Sequence, residues 1–201
     1  MHPVLADAIT PFAEQVAMVS LTEAQFSPDS EHHLWSAQQV VEHLILSFQK
    51  STQELRTRLK TGNSPAATAS LLQWILKVQV CVWSLMSRGV PTTLALRPDH
   101  FVPQDGKALA ARLLSAAEDL DKALIEARFA FGMRPCGYHV IYGPLRVEEW
   151  RVYHAVHCRH HRQQFEEAVR LARRRSTAGA VRPKGVEKPL IRAGIQKRPL
   201  P

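Results

Sequence analysis

The stretch Trp150–Gln164, WRVYHAVHCRHHRQQ, carries four of the chain's ten histidines, at positions 154, 157, 160 and 161. No glycine or proline interrupts it, so the sequence predicts that it lies inside a long helix. On a helix of 3.6 residues per turn, His157 and His161 fall on one broad stripe, whose other members are Trp150, Tyr153, Gln164, Phe165 and Ala168. Because that stripe is otherwise mostly aromatic or small, we expect it to be the face that a helical bundle buries.

Two histidines four residues apart on a buried stripe each need a polar partner. One metal ion shared by His157 and His161 would meet that need, since side chains at i and i+4 project from the same side of a helix. The ordinary alternative is that His-rich helices are solvated and that a single buried histidine is simply hydrogen-bonded. That alternative fits His160 well, whereas His154, near the edge of the stripe, is less clear. Two ligands are too few for a tight site, so a third must come from elsewhere in the chain.

A third histidine with a suitable position is His43. Ser36 and Gln39 form a capping box, which predicts a helix beginning there and running to about Lys60, before the sequence TGNSP. In that helix His43 lies about 60° from Val40, at the edge of the apolar face. A ligand could reach into a bundle from this position. Taken alone, a histidine beside an apolar face is more often an ordinary core residue.

The rest of the chain also has helical patterns. They cover about 6–18, with Thr10-Pro11 as an alternative start, then 66–87, 106–128, and a last helix from after Pro144 to near Arg175. The connection 88–104 is too rich in proline to be regular, and 131–144 reads as a Gly/Pro loop. No strand alternation of any length is found. The sequence therefore predicts an all-α bundle of four principal helices with an extra helix in a long crossover.

Charge divides the chain into a body and a tail. Its 201 residues are 45% hydrophobic, which is enough for one good core. Of 26 Lys/Arg and 18 Asp/Glu, ten basic residues and one acid lie from Arg170 onward, which leaves 16 and 17 before it. We expect residues 1–175 to form the bundle and 176–201 to be a disordered basic tail. Because the body is near neutral, nucleic acid is an unlikely partner except weakly through the tail.

The cysteines and the N-terminus bear on the compartment. Three cysteines, an odd number without a C-x-x-C motif, argue against a disulfide scaffold and for a reducing, cytoplasmic setting. The N-terminus lacks the pattern of a secretory signal. The apolar segment 71–90 is interrupted by charged and amide side chains, so we expect no membrane span there. It is predicted instead to be a helix packed on the bundle or against a second subunit.

At this point two motifs resemble a known family. The early pattern Trp35-Ser36-x-x-Gln39-Val40-x-x-His43-Leu44, followed by His157-x-x-x-His161-x-x-Gln164, looks like the DinB-like superfamily of metal-binding four-helix bundles. The segment 139–150, HVIYGPLRVEEW, is similar to one branch of it, made mostly of bacterial proteins of unknown function. The resemblance covers roughly residues 5–172. The chain departs from the pattern at Arg146, where a capping Thr or Ser is expected.

The resemblance implies an up-down-down-up bundle, often dimeric, in which three histidines hold a divalent metal. Carried over by matching positions, the ligands are His43, His157 and His161. Three imidazoles leave a coordination position open, as in catalytic sites, and suit Zn²⁺ and Ni²⁺ equally well. Gln164, one turn beyond His161, could orient a ligand from behind. His139 and Tyr142 could reach the same site as substrate contacts or could equally be ordinary loop packing.

The sequence leaves three classes of function open. Some members of the family are thiol transferases, which implies a small-molecule substrate and a low-molecular-weight thiol; hydrolysis at the same site is also open. The second possibility is a non-catalytic metal-binding or structural dimer. The third, an adaptor that binds nucleic acid or anionic surfaces through the basic tail, is the weakest because the body is near neutral.

Overall fold

The structure is a computed structural model that describes residues 1–27, 34–66, 68–86, 96–98 and 102–180, apart from the side chains of 178–180. The described chain is mostly helical, with one very small sheet. In chain order its elements are α1 (Pro3–Ala17), α2 (Leu21–Gln25), α3 (Ala37–Thr61), α4 (Leu71–Cys81), α5 (Gly106–Phe131), β1 (Gly137–His139), β2 (Gly143–Leu145) and α6 (Val147–Ala180). An all-α architecture with an extra helix before α5 agrees with the sequence prediction at this level.

The core lies among α1, α3, α5 and α6, which pack on one another. Large side chains that are almost completely buried come from each of them and include Phe12, Phe48, Leu113 and Trp150. The ring of Phe12 on α1 meets that of Phe165 on α6 edge to face, with centroids 5.1 Å apart. Apolar residues at helical spacing therefore bring α6, with its histidines, against the inner faces of α1 and α3.

Helix α3 begins where its capping box predicts. The Ser36 N–H donates to Gln39 Oε1 at 2.9 Å, and the Gln39 N–H donates to Ser36 Oγ at 3.2 Å. Both bonds satisfy amides that the first turn of a helix cannot pair internally. The helix ends at Gly62, whose φ of +68° is the left-handed conformation that glycine adopts without strain. The first residue of the helix, set by the capping box, determines on which side of α3 the His43 side chain lies.

Helix α1 starts earlier than predicted. It begins at Pro3, and Pro11 lies inside the helix, so Thr10-Pro11 is not its start. The ring of His2 caps the first turn, because its Nδ1 accepts from the Val4 N–H at 3.3 Å. A proline at the first position is preorganised for a helix, whereas Pro11 removes one internal hydrogen bond. The complete burial of Ile9 and Phe12 on either side keeps the helix continuous.

The prediction for 66–87 was wrong in extent and in part of its packing. The helix is shorter, Leu71–Cys81, and Val80 is its only buried residue. Leu76, Val80 and Cys81 pack on the bundle, but most of the predicted apolar stripe, Leu71, Ile75, Val82 and Leu85, is exposed. Packing against a second subunit, the other alternative, stays a prediction.

The predicted Gly/Pro loop 131–144 contains a small hairpin. Strands β1 and β2 pair antiparallel, with Gly137 opposite Leu145 and His139 opposite Gly143. Gly143 has a φ of +72°, which permits the tight return. A Cβ at Gly137 would lie 3.2 Å from the Trp150 ring, so this glycine allows close packing on α6. The strands were missed because three residues are too few to show an alternation.

Helix α6 begins at Val147, three residues after Pro144. The backbone N–H of Arg146 donates to Glu149 Oε2 at 2.7 Å, which supplies half of a capping box although Arg146 cannot supply the other half. The helix continues to Ala180 instead of ending near Arg175. Residues 181–201, most of the predicted tail, lie outside the described residues.

Candidate metal centre

Helices α3 and α6 bring the three predicted histidines together. His43 comes from α3, and His157 and His161 come from successive turns of α6. One ring nitrogen from each lies within 4.8 Å of the others, and all three side chains are buried. They could hold one metal ion. The i, i+4 pair and the early histidine therefore share one space, as their positions on the two helices suggested.

Two of the rings have their outer nitrogens fixed. His43 Nδ1 donates to the backbone carbonyl of Leu96 at 2.9 Å. His161 Nδ1 donates to Gln164 Oε1 at 2.8 Å, so Gln164 has the orienting contact suggested for it. Because both Nδ1 atoms carry the ring protons, both Nε2 atoms present lone pairs. Such outer partners are typical of histidines that bind metals, since they fix the tautomer and the ring orientation.

The third ring, His157, has two possible arrangements. Its Nδ1 lies 3.4 Å from Ser47 Oγ and its Nε2 lies 3.2 Å from His43 Nε2. If Nδ1 donates to Ser47, two Nε2 lone pairs face each other at 3.2 Å, which needs a cation between or beside them. If Nε2 carries the proton instead, His157 donates to His43 and the pair is satisfied without an ion. The first arrangement fits a metal site, because ligand nitrogens about 2.0–2.1 Å from one tetrahedral Zn²⁺ are roughly 3.3 Å apart.

Burial keeps all three imidazoles neutral. It lowers the pKa of His161 to about 3, and the nearby His43 ring lowers it further. The pKa of His157 falls well below its ordinary value through burial and then through His161 and His43. Burial also lowers the pKa of His43, against the opposing effect of its bond to Leu96. The cluster is therefore uncharged near neutral pH, the state in which imidazole binds a metal.

Aromatic rings flank the cluster on two sides. The half-buried Trp35 ring lies 5.0 Å from the His43 ring and stacks on His161 at 6.2 Å. The buried Tyr153 ring stacks on His157 at 5.4 Å. These apolar walls lower the local polarity, which strengthens any charge interaction inside.

The other candidate residues lie one layer further out. His139 and Tyr142 each contact the ring of Tyr153, at 4.7 Å and 5.3 Å, so Tyr153 separates them from His157. His154 is completely buried, and neither of its ring nitrogens has a hydrogen-bond partner among the described residues. His160 is half-buried, with its ring 5.1 Å from that of His161. Neither His154 nor His160 belongs to the group that could hold a metal ion.

Glu42, beside His43, is a buried acid with an ion-pair partner on α5. Its carboxylate is buried and pairs with Arg112, whose Nη2 donates to Oε2 at 2.9 Å. One turn earlier, the buried Gln38 donates to the Val102 carbonyl at 2.8 Å and accepts from the Gln104 N–H at 3.0 Å. These contacts fasten the end of the crossover to α3, while Leu96 contacts His43 earlier in the same connection.

The sequence did not reveal two partners of the cluster. Ser47 lies four residues after His43 on α3, and this spacing alone could have indicated it. The Leu96 carbonyl carries no sequence signal, since any residue there has the same backbone group. A groove of about 550 Å³ between α3 and α5, with Arg56, Lys60 and Arg112 in its lining, shares no residue with the cluster.

The thiols of the chain are not part of the cluster. All three cysteines are free. Burial raises the pKa of Cys81 to about 11 and the pKa values of Cys136 and Cys158 to about 12. Cys158 Sγ donates to the Ala8 carbonyl at 3.5 Å, on the α1 side of α6. The chain therefore contributes no thiolate near neutral pH.

Comparisons with known proteins give one match, to a family model. No curated protein and no solved structure matches the chain. No helix of the described residues is long and apolar enough to cross a membrane. The family model for the DinB superfamily matches residues 14–165, which is more than half of the chain and includes all three histidines. The match covers most of the bundle that buries the three neutral imidazoles. The chain therefore belongs to the DinB superfamily.

Proposed function

We propose that His43, His157 and His161 are the ligands of one divalent metal ion, Zn²⁺ or Ni²⁺, bound through their Nε2 atoms. The observation that carries the proposal is the 3.2 Å approach of the Nε2 atoms of His43 and His157, with His161 beside them. In the proposed site Leu96, Ser47 and Gln164 accept from the three Nδ1 atoms, which would direct three Nε2 lone pairs inward. A set of three imidazole nitrogens suits both metals.

We further propose that the site is catalytic, as a metal-dependent thiol transferase or hydrolase. When bound, the metal supplies Lewis acidity, which lowers the pKa of a thiol or water at a position not taken by protein. The protein's own part is to keep three imidazoles neutral, to fix their tautomers and to exclude bulk water with Trp35 and Tyr153. Because its own cysteines have raised pKa values, a thiol substrate must come from a separate small molecule.

The rest of the proposal concerns architecture and partners. The four long helices would follow the up-down-down-up order, and the chain would work in the cytoplasm as a homodimer on a small-molecule substrate. The basic tail, 176–201, would add at most weak contact with nucleic acid.

A non-catalytic bundle is the second candidate. It is favoured by the other tautomer of His157, in which Nε2 donates to His43 and Ser47 donates to Nδ1. In that arrangement the cluster is a polar core contact, the fold is independent of metal, and no coordination position is offered to a substrate.

Metal content separates the two candidates. The purified full chain, stripped with a chelator and titrated with Zn²⁺, Ni²⁺ or Co²⁺, should bind one ion per chain. Replacing His43, His157 or His161 by Ala should weaken binding by roughly 100-fold or more, since each removes a direct ligand. The matched control is His160→Ala, which changes the neighbour of His161 and should bind normally.

Two results would contradict the metal site: no bound ion in the wild type, or loss of binding in the His160 variant with binding kept in the others. Reaction of the loaded protein with electrophiles and a panel of cellular thiols, or with hydrolysable esters and amides, then tests catalysis. A loaded protein inert in all of these assays would favour the non-catalytic candidate.

A further inference from the structure

We propose that the outward face of α4, extended over the neighbouring hairpin, is the surface through which two copies of this chain pair. The inference deepens the proposed homodimer by assigning its interface. It rests on the apolar side chains of α4 lying on two sides of the helix: Leu76, Val80 and Cys81 pack on the core, while a larger set faces away from it.

The inward side of α4 makes both apolar and polar contacts. Val80 is buried in the core, and Leu76 and Cys81 pack against it. Gln73 Nε2 donates to the Tyr138 hydroxyl at 2.9 Å and to the Val140 carbonyl at 3.2 Å. Lys77 Nζ donates to the Pro144 carbonyl at 3.2 Å and lies 3.4 Å from the Glu149 carboxylate. These bonds fasten α4 to the hairpin and to the start of α6. The orientation of α4 is therefore fixed by these polar contacts together with the buried Val80.

The opposite side of α4 is apolar and exposed. On a helical projection Leu71, Ile75 and Val82 lie opposite Lys77. Their exposed fractions are 75%, 46% and 68%. Four more large apolar side chains between residues 71 and 85 are more than half exposed, namely Leu72, Trp74, Trp83 and Leu85. Helix α4 contains one charged residue, Lys77, and that residue faces inward.

The hairpin extends this surface. Tyr138 and Val140 are exposed and are the two residues that Gln73 contacts, so they border α4. We define the α4 face as the seven apolar residues between 71 and 85 together with Tyr138 and Val140. Counting roughly 150 Å² for each large side chain when fully exposed, the α4 face presents on the order of 800 Å² of apolar surface. That exceeds the roughly 300–600 Å² patch of an ordinary monomer and matches the roughly 800 Å² that each partner contributes to a stable interface.

Other parts of this chain are poor occupants. The segment 87–95 follows α4 directly but has only Val90 and Leu94 as large apolar residues, too few to cover nine. The segment 181–201 starts from the end of α6, 31 residues or about 46 Å beyond Glu149 at 1.5 Å per residue. It is basic, and α4 offers no acid to hold it.

A membrane surface is also a poor occupant. Helices that lie in a lipid interface carry lysines and arginines on their polar side, which bind anionic headgroups. On α4 that side has only Lys77, and it is paired with Glu149. A second copy of the same face has the matching chemistry, because two uncharged apolar surfaces related by a two-fold axis cover each other without burying a charge.

Sedimentation of the full chain across micromolar concentrations tests the proposal. The wild type should be a dimer, and the double variant Ile75→Glu, Val82→Glu should be a monomer, with dimerisation weakened by roughly 100-fold or more because buried carboxylates would be unpaired. The matched control is Phe129→Glu, which introduces a carboxylate at another exposed apolar residue, 87% exposed on α5, and should leave the dimer intact.

Folding and metal binding are followed in the same samples. The double variant should keep its helical circular dichroism and its metal content, because both sites are exposed and neither belongs to the histidine cluster; a variant that loses helicity is replaced by Leu71→Glu, at 75% exposure. A monomeric wild type would overturn the proposal, whether or not it binds vesicles of anionic lipid. A dimer that survives the glutamates in a folded variant would place the interface elsewhere and would equally overturn it. Neither result would affect the proposed metal site.

Discussion

At the scale of single residues, the histidine cluster depends on what stands behind each ring. In the proposed metal-bound arrangement, the Ser47 hydroxyl and the Gln164 amide oxygen accept from the Nδ1 atoms of His157 and His161, which leaves both Nε2 atoms free. A partner that accepts from Nδ1 keeps the ring proton there. Nε2 then offers a lone pair, not a proton, to the centre of the site.

Ser47→Ala and Gln164→Ala should therefore each weaken metal binding by roughly 10- to 100-fold while the fold is kept. The reason is that His157 or His161 can then turn its proton inward. Competition with a chromophoric chelator measures the affinity. Ser51→Ala is the matched control, since Ser51 is a buried serine one turn further along α3. Equal affinities in the Ser47 and Ser51 variants would show that the Ser47 contact does not orient His157.

Only part of the histidine cluster and its surroundings could be predicted from the sequence. The spacing of His157 and His161 and the capping box at Ser36 are local signals, and local signals fix which side of a helix a residue occupies. The Leu96 carbonyl depends on the path of a long connection, which side-chain patterns do not record. Glu42 reads as a surface acid until α5 brings Arg112 to it across 70 residues.

At the scale of elements, α6 carries a buried row of imidazoles. Burial lowers the pKa of His154 to about 3, and that of His139, on the hairpin packed against α6, to about 4. In the unfolded chain both titrate near 6.5. Between these values the unfolded state binds more protons than the folded state, so acid favours unfolding.

The metal-free protein should consequently lose stability between pH 7 and pH 5, above the range in which carboxylates titrate. Each such histidine costs at most about 1.4 kcal/mol per pH unit below its unfolded pKa. Urea unfolding at a series of pH values measures the slope, which should become shallower in His154→Phe. A free energy of unfolding that is the same at pH 7 and pH 5 would show that these rings are not held neutral.

The pattern of α4 shows where element-level prediction fails. Apolar residues at 71, 75, 78 and 82 have the spacing of a buried stripe, and the sequence cannot say what covers it. The deciding contacts are those of Gln73 and Lys77 with the hairpin, an element too short to be seen in the sequence. The helical spacing of these residues was therefore predicted correctly, but the packing of this stripe on the bundle was not.

At the scale of the whole molecule, the basic C-terminal sequence begins near the end of α6. Helix α6 has 34 residues, about 51 Å at 1.5 Å per residue, and is the longest helix of the described chain. The histidine cluster lies near its middle, 19 residues or roughly 28 Å before Ala180. The last described residue, Ala180, thus lies well away from the cluster.

Removal of residues 181–201 should leave the melting temperature and the metal affinity unchanged, because the segment has no apolar periodicity that could offset the entropy of ordering it. Calorimetry and metal titration of a chain ending at Ala180, against the full chain, measure both. A drop of several degrees would mean that the segment packs on the fold. Weaker binding to nucleic acid with an unchanged melt would give it a separate, minor role.

The raised pKa values of the three cysteines have a practical consequence. Maleimides react with thiolates, and Cys136 and Cys158 are completely buried while the half-buried Cys81 has a pKa of about 11. A cysteine placed at an exposed position, such as Phe129→Cys, would react first without removal of any native cysteine. Donor and acceptor dyes could then be attached to separate batches of otherwise native protein. If the chain forms the proposed dimer, energy transfer on mixing would report the distance between the two copies and how quickly they exchange.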